Sequence, residues 1–498
     1  MKIVLINCLS FGGSNFEPPI GITMIGGYLK EHGIDVSIID AEILNWDNNR
    51  VENEIKKIKP QIVGVTSITY NRFEALDMLK RAKKLGYKTV YGGVHATFMG
   101  EEIMQDYPFI DIVVFGEGED TMLDICRGKK LGEIEGIIFR DGKKIRKNQP
   151  RLFIQDIDAL PYGWDLLPME KYKYFGVFAS RGCPFDCTFC ASPKLWNRKL
   201  RTRSAKKVVD EIEYLINKYG KKRIHIKDDT FTARKSWAIE ICNEIIKRKL
   251  DLEWECLGRV DTVDEELLKK LKSAGCVMIE YGVESGNNEI LKSINKMITV
   301  EKVIKAIRIT EKVGLDYTTF FIIGHPGDNE KTINDTFNIA WKLRPQSLSF
   351  CPLDIFPGSR VYDIAVEKGL LKKFSWTDEN YKNKQGQTVP RFQNPSLDEA
   401  KLEEYAKRFY MRYALYTLMD IKDSKSLKYL FLNEYVPFHF LLKNGYDLRL
   451  FFIEFKNAVF LKSHLIKKVL GFLILPFFLL RIILNYAKTL WRKIKNVL

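Results

Sequence analysis

Apolar positions along the first 130 residues come in two spacings. Nearly continuous runs, KIVLIN (2–7), DVSIID (35–40), QIVGVTS (61–67), KTVYGG (88–93) and IDIVVFG (110–116), predict short strands buried on both faces, as in a parallel sheet. Between them GITMIGGYLKEHG, VENEIKKIK, FEALDMLKRAKKLG and GEEIMQDY place apolar residues three and four apart, which predicts helices, several closed by glycine. Five such alternations predict a doubly wound α/β sheet whose ligand crevice lies at the carboxyl ends of the strands.

The rhythm breaks over 131–172, where a hairpin-like GIIFRDGKKIR precedes the proline-bearing QPRLFIQDIDALPYGWDLLPMEKY. It then resumes with YFGVFAS, RIHIKDD, LEWECLG, VMIEYGVES, YTTFFIIG and SLSFCPLD as strands, and with helices over 205–218, 235–249, 264–274, 301–313 and 330–343. Six such units predict a partial (β/α)6 barrel with its chemistry in the loops that follow the strands. The expected domains are 1–135 for the first sheet, 136–172 for a linker, 173–400 for the barrel and 401–498 for a helical, basic and apolar region.

Composition narrows the setting. At 498 residues and 46% hydrophobic, the chain has enough apolar surface for two or three cores, and disorder is excluded as its main state. Nine cysteines at irregular spacing, and an N-terminus MKIVLINCLS that reads as a strand, not a basic leader, point to a reducing cytoplasm, where gathered thiols mean metal or redox chemistry. The net charge of +16 is uneven: nine Lys or Arg and no Asp or Glu fall between Phe455 and Leu498. No nucleic acid is expected. The same tail holds VLGFLILPFFLLRIILNYAKTLW, whose uncharged run Val469–Leu480 is 12 residues, short of the roughly 20 that span a bilayer. It reads as a helix lying in an anionic membrane surface, or as one packed on the protein's own core.

Candidate chemistry concentrates in SRGCPFDCTFCASP, which sets Cys183, Cys187 and Cys190 at C-x3-C-x2-C directly after the first barrel strand. A structural zinc site asks for four N or S ligands, and no fourth lies nearby. A cubane iron–sulfur cluster held by three thiolates keeps one iron open to chelate a small molecule. The other cysteines, Cys8, Cys126, Cys242, Cys256, Cys276 and Cys351, sit in or beside apolar runs and read as buried small hydrophobes.

The motif, its position and Phe189 before the last cysteine resemble the radical S-adenosylmethionine (SAM) enzymes. The resemblance implies a [4Fe–4S] cluster whose open iron is chelated by SAM, and reductive cleavage of SAM to methionine and a 5′-deoxyadenosyl radical. It implies SAM contacts at Phe189, at Asp228 and Asp229 of KDDTF, at Arg259 of LGRVD, at Glu284 and Ser285 of IEYGVESG, and at Gly324 and Pro326 of FFIIGHPGDNEKT. Read bottom-up, Asp228 and Asp229 also suit caps of the helix starting near Ala233, Arg259 a surface salt bridge, and Glu330 the start of a helix.

In front, EPPIGITMIGGYLKEHGIDVSIID, GVTSITYN, YGGVHATF and VFGEGE resemble the cobalamin-binding domain that precedes many such barrels, while G-x-G-x-x-G is absent from the first turn. Pro19, Gly21, Ser67, Thr69, Gly92, Gly93, His95, Gly116 and Glu117 are the implied contacts. The D-x-H-x-x-G of cobalamin mutases is missing: CLSFGG stands there without a histidine. Cobalamin would then lack that lower ligand, with His95 lining the corrin or packing. The implied reaction is methylation of an unactivated carbon of a small or lipid-like substrate, fed by a one-electron donor such as flavodoxin or ferredoxin. The alternatives are cobalamin-assisted cyclisation or oxidation, and a non-catalytic sensor.

Overall fold

In the computed structural model the described residues are 1–9, 17–220, 222–371, 374–381, 388–392, 394 and 396–419. The expected basic apolar tail lies outside them. The chain forms two compact units, Met1–Tyr281 with Lys292–Leu315 and Asp354–Phe392, and Gly282–Leu291 with Asp316–Leu353 and Gln393–Leu498. Among the described residues no helix is long and apolar enough to cross a membrane.

The first unit opens with β1 (Lys2–Asn7), α1 (Ile20–Glu31), β2 (Asp35–Asp40), α2 (Ala41–Leu44), α3 (Asn48–Ile58), β3 (Ile62–Thr66), α4 (Arg72–Lys84), β4 (Lys88–Gly92), α5 (Val94–Asp106), β5 (Ile112–Val114) and α6 (Glu119–Cys126). The hairpin β6 (Ile137–Asp141) and β7 (Lys144–Lys147) follows. Strand order is β2-β1-β3-β4-β5-β6-β7, parallel as far as β5 and antiparallel beyond. The hairpin read as the start of a linker is thus part of the sheet, because Ile137, Ile138 and Phe139 bury their side chains there.

Alternation along each strand explains why helices cover both faces. In β1, Ile3 and Leu5 join a core with Leu29 of α1 and Met122 of α6. Val4 and Ile6 join another with Val51 of α3, Leu76 of α4 and Met99 of α5. Each such side chain contributes about 1.5–3 kcal/mol by leaving water. The strand order reverses between β1 and β3, and a ligand crevice opens at such a switch point.

The second sheet begins with β8 (Phe175–Val177). The short pair β9 (Ser180–Arg181) and β10 (Arg201–Thr202) flanks α7 (Ser192–Leu195). Then come α8 (Ala205–Tyr219), β11 (Arg223–Ile226), α9 (Lys235–Lys247), β12 (Glu253–Gly258), α10 (Glu265–Ser273), β13 (Cys276–Glu284), α11 (Asn288–Ser293) and α12 (Val300–Val313). In the first unit β8, β11, β12 and β13 are parallel neighbours in that order. β13 runs on into the second unit, which holds β14 (Asp316–Ile323), α13 (Glu330–Leu343) and β15 (Ser347–Pro352), with β14 and β15 paired in parallel. Among the described residues the remaining α-helices are α14 (Arg360–Glu367) in the first unit and α15 (Glu399–Met419) in the second. Helix ends follow local chemistry: Ser204 and Thr299 cap α8 and α12, and Gly220 and Gly314 close them in the left-handed region. Glu330 does begin α13, whose cap is Asn329.

Five of the six remaining cysteines are buried as expected, but Cys351 is exposed. Alternation along β15 buries Leu348 and Phe350 and turns Cys351 to the other face with Ser349.

Candidate active site

The cysteine loop leaves β9 through Gly182. At its φ of +97°, and with a Cβ that would lie 2.0 Å from the Lys199 carbonyl oxygen, only glycine fits. Downstream, the Thr188 amide donates to the Ile294 carbonyl (3.0 Å) and the Val361 amide to the Thr188 carbonyl (3.0 Å). Asp186 accepts from Arg360 at 2.6 Å and from Asn295 at 3.2 Å. The loop is therefore pinned on both sides of Cys187.

Cys187 is buried, whereas Cys183 and Cys190 are half-buried. The Cys183 Sγ lies 3.5 Å from the Thr230 Oγ1, and the Cys190 Sγ accepts from the Ser192 amide at 3.4 Å. Burial, with the Asp229 charge and the other two thiols adding to it, pushes the Cys190 thiol up to about 12. Metal binding must displace that proton. Among the described residues no three His, Cys, Asp or Glu side chains converge to hold a single ion. A cubane does not ask for that convergence, since each thiolate ligates its own iron.

Asp228 sits beneath the loop. Its Oδ1 accepts from the Ala179 and Ser180 amides (2.8 and 2.9 Å) and its Oδ2 from the Ser180 hydroxyl (2.6 Å). Burial nonetheless lifts its carboxyl to about 7. Asp229 accepts from the Ser192 hydroxyl; it is reachable by water, yet crowding by protein raises it. Neither carboxylate caps the next helix, since α9 begins at Lys235 without a side-chain cap. Arg259 is no surface residue: its side chain is 5% exposed and is paired with Asp261. The Phe189 ring lies 5.8 Å from the Lys296 ammonium.

In the second unit Glu284 takes φ +71°, a left-handed conformation that costs a non-glycine residue strain. Ser285 is buried with its hydroxyl 3.2 Å from that of Thr336. Gly324, at φ +87°, and His325 donate their amides to Asp328 (2.9 and 3.0 Å), which closes the turn around Pro326. Asp328 went unread in the sequence, although an aspartate four residues after a glycine, just ahead of a helix, is a turn signal.

On the first sheet the implied contacts lie at or past the carboxyl ends of the strands. Among the described residues a Cβ on Gly21, Gly92 or Gly116 would meet nothing within 4 Å, so these positions border open space there. Gly93 is different: at φ +97° its Cβ would meet the Ser67 oxygen at 2.4 Å, so it serves the chain's own packing. Pro19 precedes α1 and accepts from the Thr23 hydroxyl (3.0 Å), while the Ser67 hydroxyl lies 2.5 Å from that of Tyr91. His95 is fully buried, its Nδ1 3.3 Å from the Thr69 hydroxyl and its ring edge-on to Trp376. Burial, aided by the Arg72 charge, pushes it down to about 3, so it stays neutral. Its geometry is that of packing. Arg72 donates to the Thr69 carbonyl (2.8 Å) and fixes that loop.

Glu117 joins the two halves of the first unit. It follows β5, and its carboxylate is held by Arg181 (2.5 Å), two residues ahead of Cys183, and by Arg201 (2.9 Å) of β10. Glu119 takes the other edge of Arg181. These arginines were missed because their partners lie more than 60 residues away in sequence.

A further polar set lies on one face of the second sheet. Register puts Gly176, His225, Glu255 and Met278 in line, with Leu257 and Glu280 one layer on, whereas Ile224, Ile226, Trp254, Cys256, Ile279 and Tyr281 are buried on the other face. His225 Nδ1 lies 3.1 Å from Glu17, which also pairs with Lys227 at 2.5 Å. His225 Nε2 has no hydrogen bond among the described residues and lies 3.8 Å from Glu280. The alternation in RIHIKDD was the available signal.

The radical SAM superfamily profile matches residues 177–340, and the B12 binding domain profile matches 13–125. An uncharacterized methyltransferase of Pyrococcus horikoshii is 36% identical over 371 residues, covering 72% of this chain and 81% of that protein. The chain belongs to the cobalamin-binding branch of the radical SAM superfamily. The anaerobic magnesium-protoporphyrin IX monomethyl ester cyclase of Rubrivivax gelatinosus is 31% identical over 440 residues, covering 83% of this chain and 77% of that protein. Among solved structures, the radical SAM methyltransferase TsrM from Kitasatospora setae has a similar fold, with a TM-score of 0.67 at 17% identity over 82% of this chain and 88% of that one.

This radical SAM protein is thus an enzyme whose cofactors are a [4Fe–4S] cluster, SAM and cobalamin. The residues present fit that set: three thiols share one pinned loop, and three glycines border open space at the strand ends where a flat, bulky group needs close backbone.

Proposed function

We propose that the enzyme methylates an unactivated carbon of a small or lipid-like substrate, with Cys183, Cys187 and Cys190 as the cluster ligands. The observation that carries this reading is Glu117, which ties the end of β5 to the arginine two residues before Cys183, so that the corrinoid end of the first sheet and the cysteine loop are held together within one unit. When bound, the cluster and SAM supply a carbon-centred radical and cobalamin supplies a methyl group. The chain's own residues hold and orient. Asp228 and Ser180 fix the start of the loop, Gly182 turns it, and Gly21, Gly92 and Gly116 leave room beside the sheet. Asp229, with solvent-facing surface next to this loop, is positioned to accept hydrogen bonds from the SAM ammonium. Electrons come from a flavodoxin or ferredoxin. Ring closure at a carbon centre is the second reading, supported by the cyclase relative.

The test is anaerobic reconstitution of the full chain with dithionite and SAM. Formation of 5′-deoxyadenosine, and a corrinoid spectrum in the acid extract, are expected. A protein that takes up iron but neither cleaves SAM nor carries a corrinoid is a sensor or scaffold instead. If the substrate is lipid-like, the basic apolar tail from Phe455 to Leu498 supports an enzyme that works at a cytoplasmic membrane face. Flotation with anionic liposomes should then require residues 456–498, and equal flotation with and without them would remove the membrane from the proposal.

A further inference from the structure

Arg259 stands just past the end of β12 and is almost fully buried. Its Nε and Nη2 form a two-pronged pair with Asp261 (2.9 and 3.0 Å), and Nη2 also donates to the Lys296 carbonyl (2.6 Å). The guanidinium carbon Cζ lies over the Phe185 ring, 3.7 Å from its centroid. These contacts fix its orientation and leave Nη1 directed at the Cys187 Sγ, 3.8 Å away. The arginine fork is thus occupied by protein groups on one edge, while the other edge faces a sulfur. A SAM carboxylate would have to displace that arrangement.

We propose that Arg259 is a positioning residue for the cluster: it holds the Cys187 sulfur by a charged hydrogen bond and raises the reduction potential of the bound cluster. The proposal rests on Cys187 being a cluster ligand. Reduction adds one electron, hence one negative charge, to a centre already surrounded by three thiolates. A cation buried beside one of those sulfurs favours the more negative state, and hydrogen bonds to cluster sulfurs are among the levers that set such potentials. Burial keeps this effect from being screened. Asp261 opposes it, because its carboxylate offsets part of the arginine charge.

The experiment is a potentiometric titration of the anaerobically reconstituted full chain, followed by electron paramagnetic resonance, without SAM. Arg259→Gln should take up wild-type iron, yet at the wild-type midpoint its reduced-to-oxidised ratio should fall about tenfold, equivalent to about 59 mV for a one-electron couple. Arg259→Lys keeps the charge without the fork and should fall between. Asp261→Asn should shift the ratio the other way, a sign reversal that a merely structural role does not produce. Unchanged potentials at equal iron content, or Arg259→Gln and Asp261→Asn shifting together, would overturn the proposal. If Arg259→Gln loads no iron, the opposed signs of Arg259→Lys and Asp261→Asn decide it. Weaker SAM binding by Arg259→Gln with an unmoved SAM-free potential would return Arg259 to the SAM carboxylate. A wild-type protein that takes up no iron would instead sink the reading of the three cysteines.

Discussion

Cys187→Ala should give a folded chain that no longer assembles a [4Fe–4S] cluster and forms 5′-deoxyadenosine only at the level of a protein-free control. The reason is stoichiometric. Three thiolates ligate three irons and leave one for the substrate, so removing one ligand leaves two open irons and an unstable centre. The fold should survive, because neighbours of Cys187 hold the loop without its sulfur: the Thr188 amide and carbonyl bond to Ile294 and Val361, and Asp186 to Arg360 and Asn295. Thermal unfolding of the apo-protein should therefore move little, while iron per chain collapses. Corrinoid content should be retained, since the glycines that border the first sheet's open space lie outside the cysteine loop, on α1, at the end of β4 and after β5. Wild-type iron content and SAM cleavage in this variant would remove Cys187 from the site.

Asp228 carries the second large effect, on stability as well as activity. In Asp228→Ala the buried Ala179 and Ser180 amides lose their acceptor, at about 1–3 kcal/mol for each unsatisfied group. The start of the cysteine loop should loosen and cluster assembly should fail. Asp228→Asn keeps an acceptor for both amides and can donate to the Ser180 hydroxyl, so it should restore most of the fold.

The two forms then separate in their pH dependence. Burial raises the Asp228 carboxyl from 3.8 to about 7 in the folded protein. The folded state binds that proton more tightly than the unfolded chain does, so the group's contribution is full below about pH 4 and is lost as pH rises through about 7. Relative to Asp228→Asn, the wild-type apo-protein should lose thermal stability between those limits. Parallel melting curves across that range would show that Asp228 does not titrate there.

Most elements were legible because their signals are local. The expected helix over 330–343 is Glu330–Leu343, and the run KIVLIN is β1 to the residue. The hairpin was equally readable, but its membership in the first sheet was not, since joining β5 depends on an edge that the sequence does not display. Among candidate site residues, the three cysteines stood out by spacing alone. The aspartate pair stood out as a pair, but its division of labour did not: Asp228 faces inward onto three donors, while Asp229 keeps solvent-facing surface. Cys351 misled because an apolar run hides which face each residue takes.

The order of strands and helices, the three-thiol loop with its missing fourth ligand, and the glycines at or after the strand ends can all be read along the chain. Each of these is written in spacings of a few residues, set by the strand and helix repeats and by ligand count. The roles of the charged groups emerge from the folded arrangement alone. Glu117 meets Arg181 across 64 residues of chain, and Arg259 turns one edge to Asp261 and the other to Cys187, 72 residues earlier. Such pairings arise when packing removes groups from water and each must find an opposite charge or a hydrogen-bond partner within reach, and that reach is set by the fold rather than by distance along the chain.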